Sequence, residues 1–515
     1  MPRTRSLPAM IFFLGVAARA AAAGRAPVDG RIFAGKAPGE EASFLVVLSD
    51  QADLSPAAAI PDRVSRIRFV YDALFAQAEV SQPRLRARLA GRGINFRPFF
   101  LVNMIEVIGS REVADELALF PEVSSIAANR EASIPAPPDE GGRRPVPLET
   151  RQGTGVEPNL TLIGAPQVWA KGFTGQGIVV GIADTGFAWE HPALKNHYRG
   201  FDAGVARHDY NWHDAVHDAA AGNSCGSNAT FPCDDDGHGT STSGLSVGGE
   251  GENQIGVAPG SRFIGCRNMD RGVGTPARYA ECFQWFLAPT DAGGSNPRPD
   301  LAPHVVNNSW GCPASEGCTD PNVLRAVVDN VTAAGIFLSV SAGNSGPACA
   351  TASDVPVFYA SVFTVGATTL ADDIASFSSR GPVAVDGSGR LKPDISAPGV
   401  GVRTAAQPSS YRPFSGTSAA APHVTGAVAL LWSASPALVG QVAATAAILE
   451  RSAVPLRSSQ DCGGFPGSSI PNAVFGFGRL DVAAAVLLAP SASPRAEPAP
   501  PPSRRGTRLV PPRGP

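Results

Sequence analysis

Downstream of Trp169 five short apolar runs recur: Ile178-Val179-Val180-Gly181-Ile182-Ala183, Arg262-Phe263-Ile264-Gly265, His304-Val305-Val306-Asn307, Ile336-Phe337-Leu338-Ser339-Val340 and Val362-Phe363-Thr364-Val365. Stretches with helical patterning intervene, among them Ala277 to Leu287 and Asn322 to Ala334. A run that is apolar at nearly every position is covered on both faces, and such strands alternating with helices read as a parallel sheet with helices on both sides. The predicted fold class for residues 158–488 is therefore α/β. In a sheet of this kind, functional side chains gather outside the carboxyl ends of the strands.

Upstream, residues 42–134 read as strand (Phe44 to Leu48), helix (about Val64 to Ala90), strand (Asn95 to Gly109), helix (Arg111 to Phe120) and strand (Val123 to Ala128), a small α/β sandwich. Residues 135–157 are rich in Pro, Gly and charge, have little to bury, and are expected to form an exposed, cleavable linker. The Pro-, Arg- and Ser-rich stretch 489–515 is expected to be a disordered tail. At the other end, Arg3 and Arg5, the apolar stretch from Leu7 to about Ala18 and the small residues Ala20 to Gly24 have the layout of a signal peptide over 1–23. The apolar stretch is shorter than the roughly 20 residues a spanning helix needs, so export to the periplasm or the exterior is expected, with no stable membrane anchor. A formal net charge of −3 leaves no polybasic face, which argues against nucleic acid as a partner.

All eight cysteines lie at or after Cys225. An even number suits an oxidising compartment and keeps disulfides within the downstream domain. Short loops close most readily, which favours Cys225 with Cys233 and Cys312 with Cys318. Cys266 with Cys282 and Cys349 with Cys462 are assigned without such an argument. A structural zinc site lacks any CxxC pair to build on.

Three segments carry candidate chemistry, in the order Ile182-Ala183-Asp184-Thr185-Gly186, Gly237-His238-Gly239-Thr240 and Gly416-Thr417-Ser418-Ala419. Asp184 ends a strand, where a buried carboxylate orients a histidine. His238 lies among small residues that let other segments approach, as a general base requires. Ser418 opens a helix, whose backbone N–H groups favour an oxyanion. Asn344, in Ser341-Ala342-Gly343-Asn344-Ser345-Gly346, follows a strand and offers an amide donor to the same oxyanion. Singly each has a plain structural alternative: a turn cap, a solvated loop histidine, a helix N-cap and a turn asparagine. Their conjunction at strand ends and a helix start of one sheet argues for nucleophilic catalysis. A further group, His208-Asp209, His213-Asp214 and His217-Asp218, has metal-ligand residue types, but Tyr210-Asn211-Trp212 interrupts it and the surroundings suggest a decorated loop.

With these motifs in this order the chain resembles the subtilases, the subtilisin-like serine peptidases, over about Asn159 to Leu488. Asn253-Gln254-Ile255-Gly256-Val257-Ala258-Pro259-Gly260 and Val305-Val306-Asn307-Asn308-Ser309-Trp310-Gly311 are most similar to the bacillopeptidase F branch. The resemblance implies a catalytic triad of Asp184, His238 and Ser418, with Asn344 in the oxyanion hole. It implies that Gly272-Val273-Gly274 and Ser309-Trp310-Gly311 pair with an extended peptide on either side. Ser341-Ala342-Gly343 would line the pocket for the residue before the cut, leaving room for a large apolar side chain. It also implies that 42–134 is a ferredoxin-like inhibitory propeptide domain. Two positions depart from common family usage: Ser241 replaces a second histidine and Ala419 replaces methionine. No cofactor is required for the chemistry. In the family, structural calcium sites depend on loops that no motif here identifies, so metal binding stays open and no ligands are assigned.

The expected function is a secreted serine endopeptidase of polypeptide substrates, made as a zymogen that cuts itself between about Ser133 and Glu157 and is inhibited by its own propeptide. Two alternatives differ in class: a peptide ligase or cyclase using the same acyl-enzyme, and a catalytically silent binding protein of the same shape.

Overall fold

The structure, a computed structural model, describes residues 25–134, 155–318 and 320–490. The expected signal peptide, most of the linker and nearly all of the tail lie outside the described residues. At the centre is a seven-stranded sheet in the order Trp212–Asp214, Arg262–Arg267, Val179–Asp184, Val305–Asn308, Phe337–Ser341, Phe363–Thr368, Ile395–Pro398. Every neighbouring pair is parallel. Alternate side chains feed two cores. Val180, Ile182, Val305, Phe337 and Val365 pack with the helix Thr417–Ala434, whereas Ala183, Val306, Leu338 and Val340 pack with Pro276–Leu287 and Arg325–Ala333. Burial on both faces explains why these strands read as continuous apolar runs. Val179–Asp184 has Arg262–Arg267 on one side and Val305–Asn308 on the other, so Asp184 stands at the carboxyl rim where the strand order reverses direction.

All five predicted strands are present, within two residues of the predicted starts. Two further strands, Trp212–Asp214 and Ile395–Pro398, complete the sheet at its edges. The first is three residues long and polar at two positions. The second ends on a proline, which an edge position tolerates.

Residues 42–128 form a four-stranded antiparallel sheet in the order Asn95–Phe99, Met104–Gly109, Ala42–Leu48, Val123–Ala128, with helices Arg63–Ser81, Pro83–Gly91 and Arg111–Leu117. This is the β-α-β-β-α-β arrangement of ferredoxin-like sandwiches. Two details correct the sequence reading. The single strand Asn95 to Gly109 is a hairpin, turned at residues 100–103. The single helix ending at Ala90 is broken at Gln82, because Pro83 has no N–H for the helix ladder and starts a new helix. The Gln82 amide meanwhile donates to Phe99 O at 2.8 Å and Asn103 Oδ1 at 3.0 Å, holding the hairpin turn.

This sandwich rests on the two helices of one face of the large sheet. Gln284 Oε1 accepts from the backbone of Phe100 and Leu101, Asn330 Nδ2 donates to Leu101 O, and Asn129 Oδ1 accepts from Ala277 N. Arg97 also pairs with Glu281, and Ile67, Leu74, Phe99 and Leu101 share one apolar core with residues of the two helices, so packing, hydrogen bonds and an ion pair together hold the two units. Four disulfides, Cys225–Cys233, Cys266–Cys282, Cys312–Cys318 and Cys349–Cys462, match the expected pairs. Among the described residues no helix is long and apolar enough to cross a membrane.

Candidate active site

Asp184 is fully buried at its strand end. Its Oδ1 accepts from Thr185 N at 2.8 Å, its Oδ2 accepts from Thr242 Oγ1 at 3.1 Å, and Oδ1 also lies 2.8 Å from His238 Nδ1. His238 opens the helix His238–Val247. The preceding Gly237 has φ 97°, and a methyl group on Gly239 would stand 2.0 Å from Gly186 O and 3.1 Å from Asp184 Cβ, so only glycine lets the helix start approach the aspartate. Asp234, absent from the sequence reading, ties this loop down. It accepts from Thr185 Oγ1 at 2.8 Å, Gly237 N at 2.8 Å, and Thr240 N and Oγ1 at 2.9 and 2.6 Å. These bonds keep its carboxyl below the usual range although burial opposes them. Burial alone would lower the His238 pKa, but attraction to Asp184 and the hydrogen bond to it outweigh burial and raise it above 6.5.

Ser418 is the second residue of its helix, after Gly416 and Thr417. Its Oγ donates to Ser309 O at 3.0 Å, and Ser309 Oγ returns a bond to Ser418 O at 3.0 Å. Asn344 Oδ1 accepts from Thr417 N at 3.0 Å and Thr417 Oγ1 at 2.9 Å, which anchors the amide at that helix end. His238, Asn344 and Ser418 line one cavity of ≈ 300 Å³ together with Asp236, Gly272, Val273 and Phe414. The structure thus brings the four polar residues singled out in the sequence to one rim. In this state the serine hydroxyl is held by Ser309.

Gly272 and Val273 line the same cavity, and the segment Gly272-Val273-Gly274 pairs with the chain itself. Ala132 and Ser133 form an antiparallel strand against Gly274 and Val273, and Ile134 N donates to Gly272 O at 2.8 Å. The segment leaving the small sandwich therefore lies in the cleft in an extended, strand-adding form. On the opposite side Ser133 N donates to Glu316 Oε2 at 2.5 Å, in the loop closed by Cys312–Cys318. Of Ser309-Trp310-Gly311, the Trp310 side chain is a core element: it is buried, stacks on Tyr279 at 3.8 Å and donates from Nε1 to Ala183 O at 3.1 Å. Ser341, Ala342 and Gly343 continue from the strand Phe337–Ser341 toward Asn344, and Gly343 N donates to Thr417 Oγ1 at 3.1 Å.

Ser241 donates to Gly237 O and Ala405 O and accepts from Arg412, so it joins the histidine helix to the hairpin Val402–Phe414. Ala419 packs with Leu245 and Val402. The histidine group does not converge on a metal position: His208 Nδ1 pairs with Tyr198 Oη, while His213 and His217 both meet Glu281. Among the described residues no group of three or more His, Cys, Asp or Glu side chains is placed to hold an ion. Where Asp214 and Asp235 converge, the fully buried guanidinium of Arg267 neutralises them at 3.1 and 2.6 Å.

Residues 175–478 match the sequence profile of the subtilase family. Among curated relatives, bacillopeptidase F of Bacillus subtilis (strain 168) is 37% identical over 405 residues, 77% of this chain and 26% of the relative. Serine protease AprX of the same organism is 33% identical over 293 residues, 52% of this chain and 59% of the relative. A subtilisin of Bacillus pumilus is 30% identical over 280 residues, 54% of this chain and 84% of the relative. The chain thus spans about a quarter of the length of the first relative and three-fifths of the second.

Proposed function

Because this chain belongs to the subtilase family, we propose that it is a secreted serine endopeptidase that hydrolyses polypeptides through an acyl-enzyme on Ser418. The observation that carries this reading is the buried Asp184–His238 hydrogen bond at the edge of the cavity that Ser418 also lines. With its Nδ1 proton held by Asp184, His238 presents Nε2 as an acceptor. Rotation of the Ser418 side chain away from Ser309 O brings its proton to Nε2. The oxygen attacks the peptide carbonyl carbon, and the resulting oxyanion takes hydrogen bonds from Asn344 Nδ2 and the Ser418 N–H. His238 returns the proton to the departing amine. Water then enters, loses a proton to His238 and releases the acid.

Residues 42–134 serve as the inhibitory propeptide in this reading. Ala132 to Ile134 occupy the cleft as a substrate strand would, and self-cleavage falls between Ser133 and Glu157. Export through residues 1–23 accords with four disulfides. Expression of Ser418→Ala tests the processing step: the variant should accumulate at full length apart from removal of the signal peptide. A mature-length form arising in it without added protease contradicts self-cleavage.

A further inference from the structure

Asp354 lies ten residues beyond Asn344, in a small-residue stretch that gave no sequence signal. Its side chain is wedged between the two segments that flank the nucleophile. A methyl group on Gly343 would stand 3.5 Å from Asp354 Oδ2, and one on Gly311 would stand 3.4 Å from the same oxygen. Gly343 immediately precedes Asn344 and is bonded to Thr417; Gly311 lies two residues after the carbonyl that holds Ser418 Oγ. Neither glycine has a side chain, so the carboxylate comes close to the backbone of both segments.

Asp354 is only 7% exposed. Among the described residues no Lys or Arg forms an ion pair with it, and the charged group acting on it is another acid, Glu316. Burial, reinforced by Glu316, pushes its carboxyl up to about 6, with only Ser353 hydrogen bonding in opposition. A buried carboxylate without a counter-charge is costly in a folded protein, whereas a cation delivered by a ligand would supply the missing partner.

Resting on the peptidase reading above, the geometry points to Asp354 as the specificity residue of the pocket beside Ser418, selecting Arg or Lys as the residue preceding the cut. The guanidinium of an arginine can meet a carboxylate with two parallel N–H···O bonds, and a lysine can meet it as a point charge. Glu316, already bonded to the Ser133 N–H, adds negative potential at the mouth of the same cleft. The preference departs from the large apolar side chain expected from Ser341-Ala342-Gly343 alone, because the small residues shape the walls and Asp354 supplies the charge. The chain's own candidate substrate, the segment 135–157, carries Arg143, Arg144 and Arg151.

The test uses the processed enzyme and four peptides that differ only in the residue before the scissile bond: Arg, Lys, Phe or Leu. Wild type should show kcat/KM for Arg and Lys at least about tenfold above Phe and Leu, the lower end of measured charge-pair couplings. Asp354→Asn should collapse that ratio by losing activity on Arg and Lys while keeping activity on Phe, and Asp354→Glu should retain the basic preference. Fluorophosphonate labelling of each protein reports an assembled nucleophile. A labelled wild type that prefers Phe or Leu overturns the Asp354 assignment alone and needs no variant to fold. An unchanged ratio in labelled Asp354→Asn does the same. A wild type that neither labels nor cleaves any peptide overturns the peptidase reading and this inference with it.

Discussion

Asp184 Oδ1 and His238 Nδ1, 54 residues apart in the chain, meet at 2.8 Å inside a pocket where Asp184 is fully buried and His238 nearly so. Thr185 N and Thr242 Oγ1 also bond the aspartate, so its orientation does not depend on the histidine alone. The imidazole is thereby fixed in position and tautomer, which is the structural requirement for a serine to be activated from its other nitrogen.

Replacing Asp184 by Asn removes that constraint while keeping the shape. The amide can present its N–H to Nδ1, which places the imidazole proton on Nε2, so that this nitrogen cannot accept the Ser418 proton as the proposed mechanism requires. The expected result is a fall in kcat of about 10⁴-fold, the size known for the same change in a serine peptidase triad, with KM nearly unchanged. Steady-state kinetics on one peptide substrate check it.

Under the proposed mechanism the acid limb of kcat/KM should report His238. Its pKa is raised above 6.5 in the fold, and only its neutral form accepts the Ser418 proton, so activity should rise with pH through a midpoint above 6.5. A raised folded value also means that the His238–Asp184 attraction stabilises the protein fully below the unfolded pKa and is lost as pH climbs through the folded one. In Asp184→Asn the limb should move to lower pH, because burial then acts without its main opposing partner. A pH–rate profile of both proteins shows the direction.

Much of this arrangement is legible in the sequence, for a physical reason. Strands buried on both faces leave continuous apolar runs such as Ile178 to Ala183, and close backbone approach leaves glycines beside His238. Groups defined only by tertiary convergence left no such trace. Asp234 and Asp354 sit among small or acidic residues with no periodicity to mark them, and the edge strand Trp212–Asp214 is too short and polar to read as a strand. Pro83 is a helix breaker within a stretch whose helical patterning continues on both sides, which is why Val64 to Ala90 reads as one helix.

Asn344→Ala should lower kcat by roughly 100- to 1000-fold with little change in KM, since its amide acts only when charge develops on the substrate oxygen. That size is carried over from subtilisin itself, a family member. Part of any loss reflects the bonds from Thr417 to Asn344 Oδ1, so Asn344→Asp, which keeps the acceptor but not the donor, should be comparably impaired in kcat.

The Cys349–Cys462 disulfide closes a loop of sequence separation 113, the longest of the four. Chain-entropy reasoning assigns about 4 to 5 kcal/mol to a loop of this length, as an upper figure. Cys349→Ala/Cys462→Ala, made in the Ser418→Ala background to prevent autolysis, should therefore unfold at lower urea concentration. The same double change at Cys312 and Cys318, whose separation is 6, should cost less.

The most direct measurement is covalent labelling of the processed protein with a fluorophosphonate, followed by peptide mapping. Ser418 should carry the adduct, with labelling abolished in Ser418→Ala and strongly slowed in His238→Ala. An unlabelled wild-type protein, or an adduct on any other residue, contradicts the assignment of Ser418 as the nucleophile.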